Sequence, residues 1–229
     1  MKKYEEMTSQ EFEEEGERLR KREKEFWQKK FILDACCGGK MFWYDRNHPN
    51  VIFQDIRKKE RGFVKYSPGY SVNPDIVGDF RKMDFPDESF KLVVFDPPHL
   101  IEKGTSIMSK KYGFFGGIGE LKKDIKKGFD ECWRVLEDYG VLIFKWNEAS
   151  IKRKEIIEII GKEPLFGQTG ASNKDKICTI WFCFMKIPPY IATESLGRKW
   201  IGCDISEKYC QIGEERLKIL RSQPKLLIP

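Results

Sequence analysis

The sequence predicts an α/β fold built on a doubly wound, mostly parallel sheet, and three observations predict it. Short apolar runs alternate with longer segments of helical period across residues 30–186, as strands joined by crossover helices do. Three of the first four runs end in, or are followed at once by, an aspartate: Asp34, Asp55 and Asp79. The fourth breaks off in Asp96-Pro97-Pro98-His99, and proline cannot donate to a β-ladder. Ligands of open α/β sheets bind outside the carboxyl ends of the strands. The acids and the rigid proline ledge therefore mark the edge where a site is expected.

In chain order, residues 8–29 read as an N-terminal helix. Thr8 and Glu11 have capping-box spacing, and Phe12, Leu19 and Phe26 share one stripe. Residues 31–33 form the first strand, closing at Asp34. In the segment that follows, "DACCGGK", Gly38-Gly39 let the backbone pass close to a ligand. Residues 51–53 are the second strand, closing at Asp55. Residues 57–74 are basic and turn-rich (Gly62, Pro68, Gly69, Pro74), which predicts a long loop or hairpin.

A third strand begins at residues 75–77 and closes at Asp79; residues 91–95 are the fourth. Residues 101–117 are glycine-rich without helical period and read as a long functional loop. Ile118, Leu121, Ile125, Phe129, Cys132, Trp133 and Leu136 predict an amphipathic helix that Gly140 ends. Residues 141–145 are a fifth strand, 151–160 a helix, 163–176 a hairpin and 177–185 a final strand. The expected division is 1–29, an N-terminal helix; 30–186, the main domain; and 187–229, a C-terminal extension.

The chain has 229 residues, 40% of them hydrophobic and 34% charged, enough for one α/β core and an appendage. It has no apolar run of membrane-spanning length and no secretory signal at the N-terminus. The seven cysteines are odd in number and form no CxxC pair, which predicts reduced thiols, no metal site and a cytoplasmic location. A monomer or weak dimer, without membrane attachment, is expected. The net charge of +6 is unevenly spread. Lysines crowd residues 101–127, and Arg57, Lys58, Lys59 and Arg61 form a second basic group, which suits a polyanionic partner.

An acid at the end of the second strand is placed to accept from two ribose hydroxyls, and one after the third can receive an adenine amine. Such a pattern serves a dinucleotide or S-adenosylmethionine. The loop lacks full GxGxxG spacing and opens no clear helix, which disfavours a pyrophosphate cradle. A sulfonium cofactor has no phosphate to hold, and nearby acids suit its positive charge.

The segments "ILDACCGGKMFWYDRNHPNVIFQDIR", "PDIVGDFRKMDFPDESFKLVVFDPPHL", "DIKKGFDECWRVLEDYGVLIFKWNE" and "EPLFGQTG" together resemble small phage and prophage class I S-adenosylmethionine-dependent methyltransferases. The resemblance spans about residues 30–186. It implies a Rossmann-like seven-stranded sheet with a reversed last strand, and a host cytoplasm for a phage-encoded chain. It also implies that Asp34, Ala35, Cys36, Gly38 and Gly39 form the methionine-side loop, that Asp55 holds the ribose and that Asp79 faces the adenine.

Asp96, Pro97, Pro98 and His99 are similar to the Asp/Asn-Pro-Pro-aromatic motif of enzymes that methylate exocyclic amines of bases. A conjugated amine is a poor nucleophile, and a carboxylate with a proline carbonyl can accept both of its N–H groups and push the lone pair toward the methyl. The aromatic position, which stacks on an extruded base, is here His99. The expected activity is methylation of a DNA base amine, adenine N6 first and cytosine N4 next. An RNA or small-molecule acceptor, or a silent binding protein, are the alternatives. Lys103, Lys110, Lys111 and Tyr112, with Phe114 and Phe115, lie just beyond the ledge and are the expected nucleic-acid contacts.

Residues 190–220 resemble the end of another DNA methyltransferase class, with Asp204 in the position of its ribose-binding acid. The glycine loop that should precede it is missing. The tail is therefore expected to be a helix–strand–helix with a strand at 199–203, and Tyr209, Gly213, Leu217 and Leu220 on one packing face.

Overall fold

The structure, a computed structural model, describes residues 8, 10, 13, 16–18, 29–101, 107–169, 178–189 and 207–222. The chain divides into two compact units, Met1–Lys186 and Ile187–Pro229. In the N-terminal stretch Gln10, Glu13, residues 16–18 and Lys29 are helical; Phe12, Leu19 and Phe26 lie outside the described residues.

The first unit holds a seven-stranded sheet of β1 (Ile32–Asp34), β2 (Val51–Asp55), β3 (Ile76–Val77), β4 (Phe90–Phe95), β5 (Leu136–Asn147), β6 (Phe166–Thr169) and β7 (Thr179–Met185), in the order β3-β2-β1-β4-β5-β7-β6. The first five are mutually parallel, whereas β7 runs antiparallel to β5 and β6 antiparallel to β7. This is a mostly parallel, Rossmann-like α/β sheet, with its chain reversal at β7. The register sets Ile32 beside both Val51 and Leu92, and Asp34 beside Phe53 and Val94. Strands covered on both faces read as continuous apolar runs; all five residues of β2 are buried.

Four helices are described: α1 (Ile107–Tyr112), α2 (Ile118–Val135), α3 (Arg153–Ile160) and, in the second unit, α4 (Glu207–Ser222). Helix α2 packs on β4 and β5, and α3 packs on α2. Of the expected stripe Leu121, Ile125, Phe129 and Cys132 are buried, Trp133 is half-buried and Ile118 is exposed, while Val135 is buried beside them. Gly128 lets α2 approach the sheet: a Cβ there would sit 2.5 Å from Phe80 and 2.7 Å from Phe95. In α4, Leu217 is buried and Gly213 half-buried. Asp204, the strand at 199–203 and the side chains of Tyr209 and Leu220 lie outside the described residues.

Three expectations are corrected. Residues 107–112, read as loop, form the short helix α1. Helix α2 stops at Val135 rather than running to Gly140, because Leu136 already pairs with Phe90. The pairing resumes at Leu92 and Val141, so the intervening residues of β5 bulge. Tyr139 there takes φ +62°, and its N–H is tied to the Lys186 carbonyl at 2.7 Å. Within the expected 163–176 hairpin, residues 166–169 are a strand of their own on the sheet edge.

Candidate active site

The carboxyl ends of β1, β2 and β4, with the loops that leave them, line one cleft of about 710 Å³, a size that suits a nucleoside-like cofactor and a planar acceptor together. The loop after β1 forms one wall. It contains turns and, among the described residues, no helix between β1 and β2. Cys36, Cys37, Gly38 and Gly39 face the cleft. Asp34 and Ala35 do not: both are buried, with the Ala35 N–H bonded to the Val94 carbonyl at 2.9 Å.

Asp34 instead holds the loop from beneath. It accepts from the Trp43 indole at 2.7 Å and from the Cys36 N–H at 3.3 Å. Burial pushes its carboxyl up to about 7 against these two bonds, and the charges of Asp96 and Asp55 push the same way. Burial also raises the Cys36 and Cys37 thiols, with Asp34 adding to both, so neither is poised as a thiolate. Gly38 takes φ +50°, a conformation that favours glycine. At Gly39 a Cβ would lie 2.4 Å from the Tyr70 ring. Replacing Gly39 by Ala should therefore cost about 1–3 kcal/mol of stability by overpacking, readable as a lowered urea midpoint. An unchanged midpoint would mean that the ring yields without cost.

Asp55 and Asp79 use the same local device. Asp55 Oδ1 accepts from the Arg57 N–H at 2.9 Å and from Arg57 Nε at 3.1 Å. Asp79 Oδ1 accepts from the Arg81 N–H and Nε, both at 2.9 Å. Each acid thus closes an Asx-type turn on an arginine two residues on. Asp55 Oδ2 also accepts from Gly38 N–H at 2.8 Å, which ties the β1 loop to β2. Burial alone would raise Asp79, but the Arg81 hydrogen bonds and charge outweigh it and lower its carboxyl. Arg81 bridges on to the buried Asp124 of α2 at 2.7 Å.

The ledge leaves β4 in the same cleft, with Asp96, Pro97, Pro98 and His99 all lining it. Asp96 Oδ2 accepts from Lys145 Nζ at 2.6 Å, while among the described residues Oδ1 has no hydrogen-bond partner. Burial raises the Asp96 carboxyl, opposed by the charge and hydrogen bond of Lys145. Burial lowers the His99 imidazole, opposed by Asp96, which leaves the ring neutral at pH 7. The Ser150 hydroxyl donates to the His99 carbonyl at 2.7 Å and fixes the turn.

Helix α1 and the residues after it close the far side. Lys110, Tyr112 and Phe114 line the cleft. Arg57 Nη1 donates to the Lys111 carbonyl at 3.1 Å, and the Tyr70 hydroxyl donates to the same oxygen at 3.0 Å. The Lys111 ammonium lies 5.2 Å from the Tyr70 ring centroid. Phe115 and Arg57 line the cleft as well, but neither is free for a nucleic acid. Phe115 is buried in the core, and Arg57 of the basic group is spent on Asp55 and on α1. Lys103 lies outside the described residues.

Lys145 and Asn147 line the cleft without having been singled out in the sequence. Their signal was the two-residue spacing in "KWNE": Trp146 and Glu148 are buried, whereas Lys145 and Asn147 share the opposite, partly open face. No cluster of His, Cys, Asp or Glu arranged for a metal occurs among the described residues. No described helix is long and apolar enough to cross a membrane.

No family model matches the chain, and no curated protein does. Solved structures with a similar fold include the N-methyltransferase NodS from Bradyrhizobium japonicum, at 10% identity over 74% of this chain and 96% of that one, TM-score 0.41. A protein from Pyrococcus horikoshii is 17% identical over 79% and 93% of the two chains, TM-score 0.40. A protein from Thermus thermophilus, described as a DNA modification methylase, is 19% identical over 55% and 54%, TM-score 0.34. At such scores, nothing about substrate or residue roles is taken from them.

Proposed function

We propose that the chain is an S-adenosylmethionine-dependent methyltransferase acting on an exocyclic amine of a DNA base, adenine N6 first. One observation carries this proposal: the Asp96-Pro97-Pro98-His99 ledge opens into the same cleft as the Cys36–Gly39 loop, Asp55 and Asp79. The cleft residues fit the cofactor. Asp55 would take a ribose hydroxyl with the acceptor capacity left beside Arg57 and Gly38, and Asp79, both of whose oxygens already accept from Arg81, would receive an adenine amine beside Phe80. The β1 loop, with Asp34 beneath it, suits the positively charged methionine end. S-adenosylmethionine supplies an electrophilic methyl group on a sulfonium.

The chain's own part is to place and polarise the acceptor. Asp96 Oδ1 accepts one amine N–H and the Pro97 carbonyl can accept the other, so the nitrogen lone pair is freed from the ring. Once the nitrogen carries its methyl group, its surplus proton passes to Asp96, whose raised pKa suits that task. The neutral His99 ring lies beside the acceptor plane. Lys110 and Tyr112 at the cleft mouth suit phosphate contact and stacking.

Nucleoside mass spectrometry of DNA and RNA from cells with and without the protein tests this. A rise in N6-methyladenine in DNA is expected. A rise confined to N4-methylcytosine or to an RNA nucleoside would move the assignment, and lack of S-adenosylmethionine binding at millimolar concentration would favour a silent binding protein.

A further inference from the structure

Each of the three cleft aspartates is paired with a cation, and one of those cations differs from the others. Arg57 and Arg81 are each engaged a second time, on the Lys111 carbonyl and on Asp124. Lys145 has no second acceptor among the described residues. Its ammonium is hydrogen-bonded there only to Asp96, and it lies 5.6 Å and 5.5 Å from the centroids of the Phe42 and Trp181 rings. Strand pairing sets this position: Lys145 lies opposite Trp181 on β7. The two rings meet edge to face at 5.4 Å. An ammonium has three N–H donors, so at least one remains to be directed into the cleft.

Asp96 is the mirror case, one oxygen engaged and one open among the described residues. The ledge thus presents an acceptor and a donor side by side. An aliphatic amine, protonated at pH 7, would meet a second cation there. Guanine's amine neighbours an N–H on its Watson–Crick edge, which would set donor against donor, and it has an unprotonated ring nitrogen beside it only at N3, on its other side. An amine on a carbon that also bears an unprotonated ring nitrogen satisfies both groups, as do adenine N6 with N1 and cytosine N4 with N3.

We propose that Lys145 is a specificity-determining residue: its ammonium donates to the ring nitrogen beside the target amine while Asp96 Oδ1 accepts the amine N–H, so the cleft selects amidine-type amines. This rests on the methyltransferase reading and deepens it. A site built to hydrogen-bond a substrate atom rejects the analogue that lacks it, because its own polar group is then left unpaired.

The test uses the full-length protein saturated with S-adenosylhomocysteine, and measures binding of deoxyadenosine against 1-deazadeoxyadenosine, and of deoxycytidine against its 3-deaza analogue, by NMR titration. The parent should prefer at least one natural nucleoside over its analogue by about tenfold. Lys145→Met should reduce that preference to within about twofold while S-adenosylhomocysteine affinity stays within a few-fold, which shows that the variant is folded. Lys145→Arg, which keeps a donor, should retain part of the preference. Equal binding of both members of each pair by the parent, a preference that survives Lys145→Met, or no nucleoside binding at all would each overturn the inference. In those cases intact cofactor binding with methyl transfer to another acceptor would leave the methyltransferase reading standing, whereas a parent that binds neither S-adenosylmethionine nor S-adenosylhomocysteine would sink that reading itself.

Discussion

Replacing Asp96 by Ala should lower methyl transfer by about 10³-fold, within the range expected when a positioned proton acceptor and its electrostatic role are removed together. Cofactor affinity should stay within a few-fold, since Asp55, Asp79 and the β1 loop are held by contacts of their own. The same change takes from Lys145 the one hydrogen-bond acceptor it has among the described residues. Asp96→Asn is the informative companion. It keeps an oxygen acceptor but cannot take the proton, so it should fall between the parent and Asp96→Ala. Labelled S-adenosylmethionine with plasmid DNA as acceptor measures both variants. Parent-like transfer by Asp96→Ala would remove the ledge from the chemistry.

The acids were legible because strand ends are legible: an apolar run closing on aspartate needs no tertiary information. Their partners were only half legible. "DIR" and "DFR" stand in the sequence, yet the aspartate-to-arginine turn gains meaning only once Asp55 and Asp79 are known to end strands at a common edge. Lys145 was not legible in the same way. Its contact with Asp96 spans 49 residues and depends on β4 and β5 being neighbours in register, and within β5 it looked like one polar residue of an ordinary strand.

Boundaries failed where tertiary pairing overrode local punctuation. Gly140 looked like a helix stop, but Leu136 had already joined β4. The edge strand β6 gave little signal because Phe166 is exposed, so no buried alternation marks it. Helix α1 has only six residues, too few to show a period. It is held from outside, by Arg57 and Tyr70 on its last carbonyls, and such support leaves no local trace.

The stability of the protein should fall as pH rises from about 4 to about 7 and then level off, and Asp34 is the reason. Its carboxyl is fully buried and raised to about 7 in the fold, whereas an unfolded aspartate titrates near 3.9. Between those values the folded state holds a proton that the unfolded state has lost. The slope of unfolding free energy with pH is therefore negative. Roughly three pH units correspond to about 4 kcal/mol at full effect. Asp34→Asn removes the titration but keeps an oxygen for the Trp43 indole, at the loss of one weaker bond from Cys36. The variant should thus be slightly less stable than the parent at pH 4 and more stable at pH 8, as read by urea unfolding at both values. Parallel pH profiles would show that Asp34 does not titrate in this way. A costly buried acid persists where its charge is used, and here it lies under the loop assigned to the positively charged end of the cofactor. S-adenosylmethionine affinity should accordingly rise from pH 6 to pH 8 in the parent as Asp34 ionises. In Asp34→Asn that rise should disappear, so the stability gained by the variant at pH 8 is matched by weaker cofactor binding at the same pH.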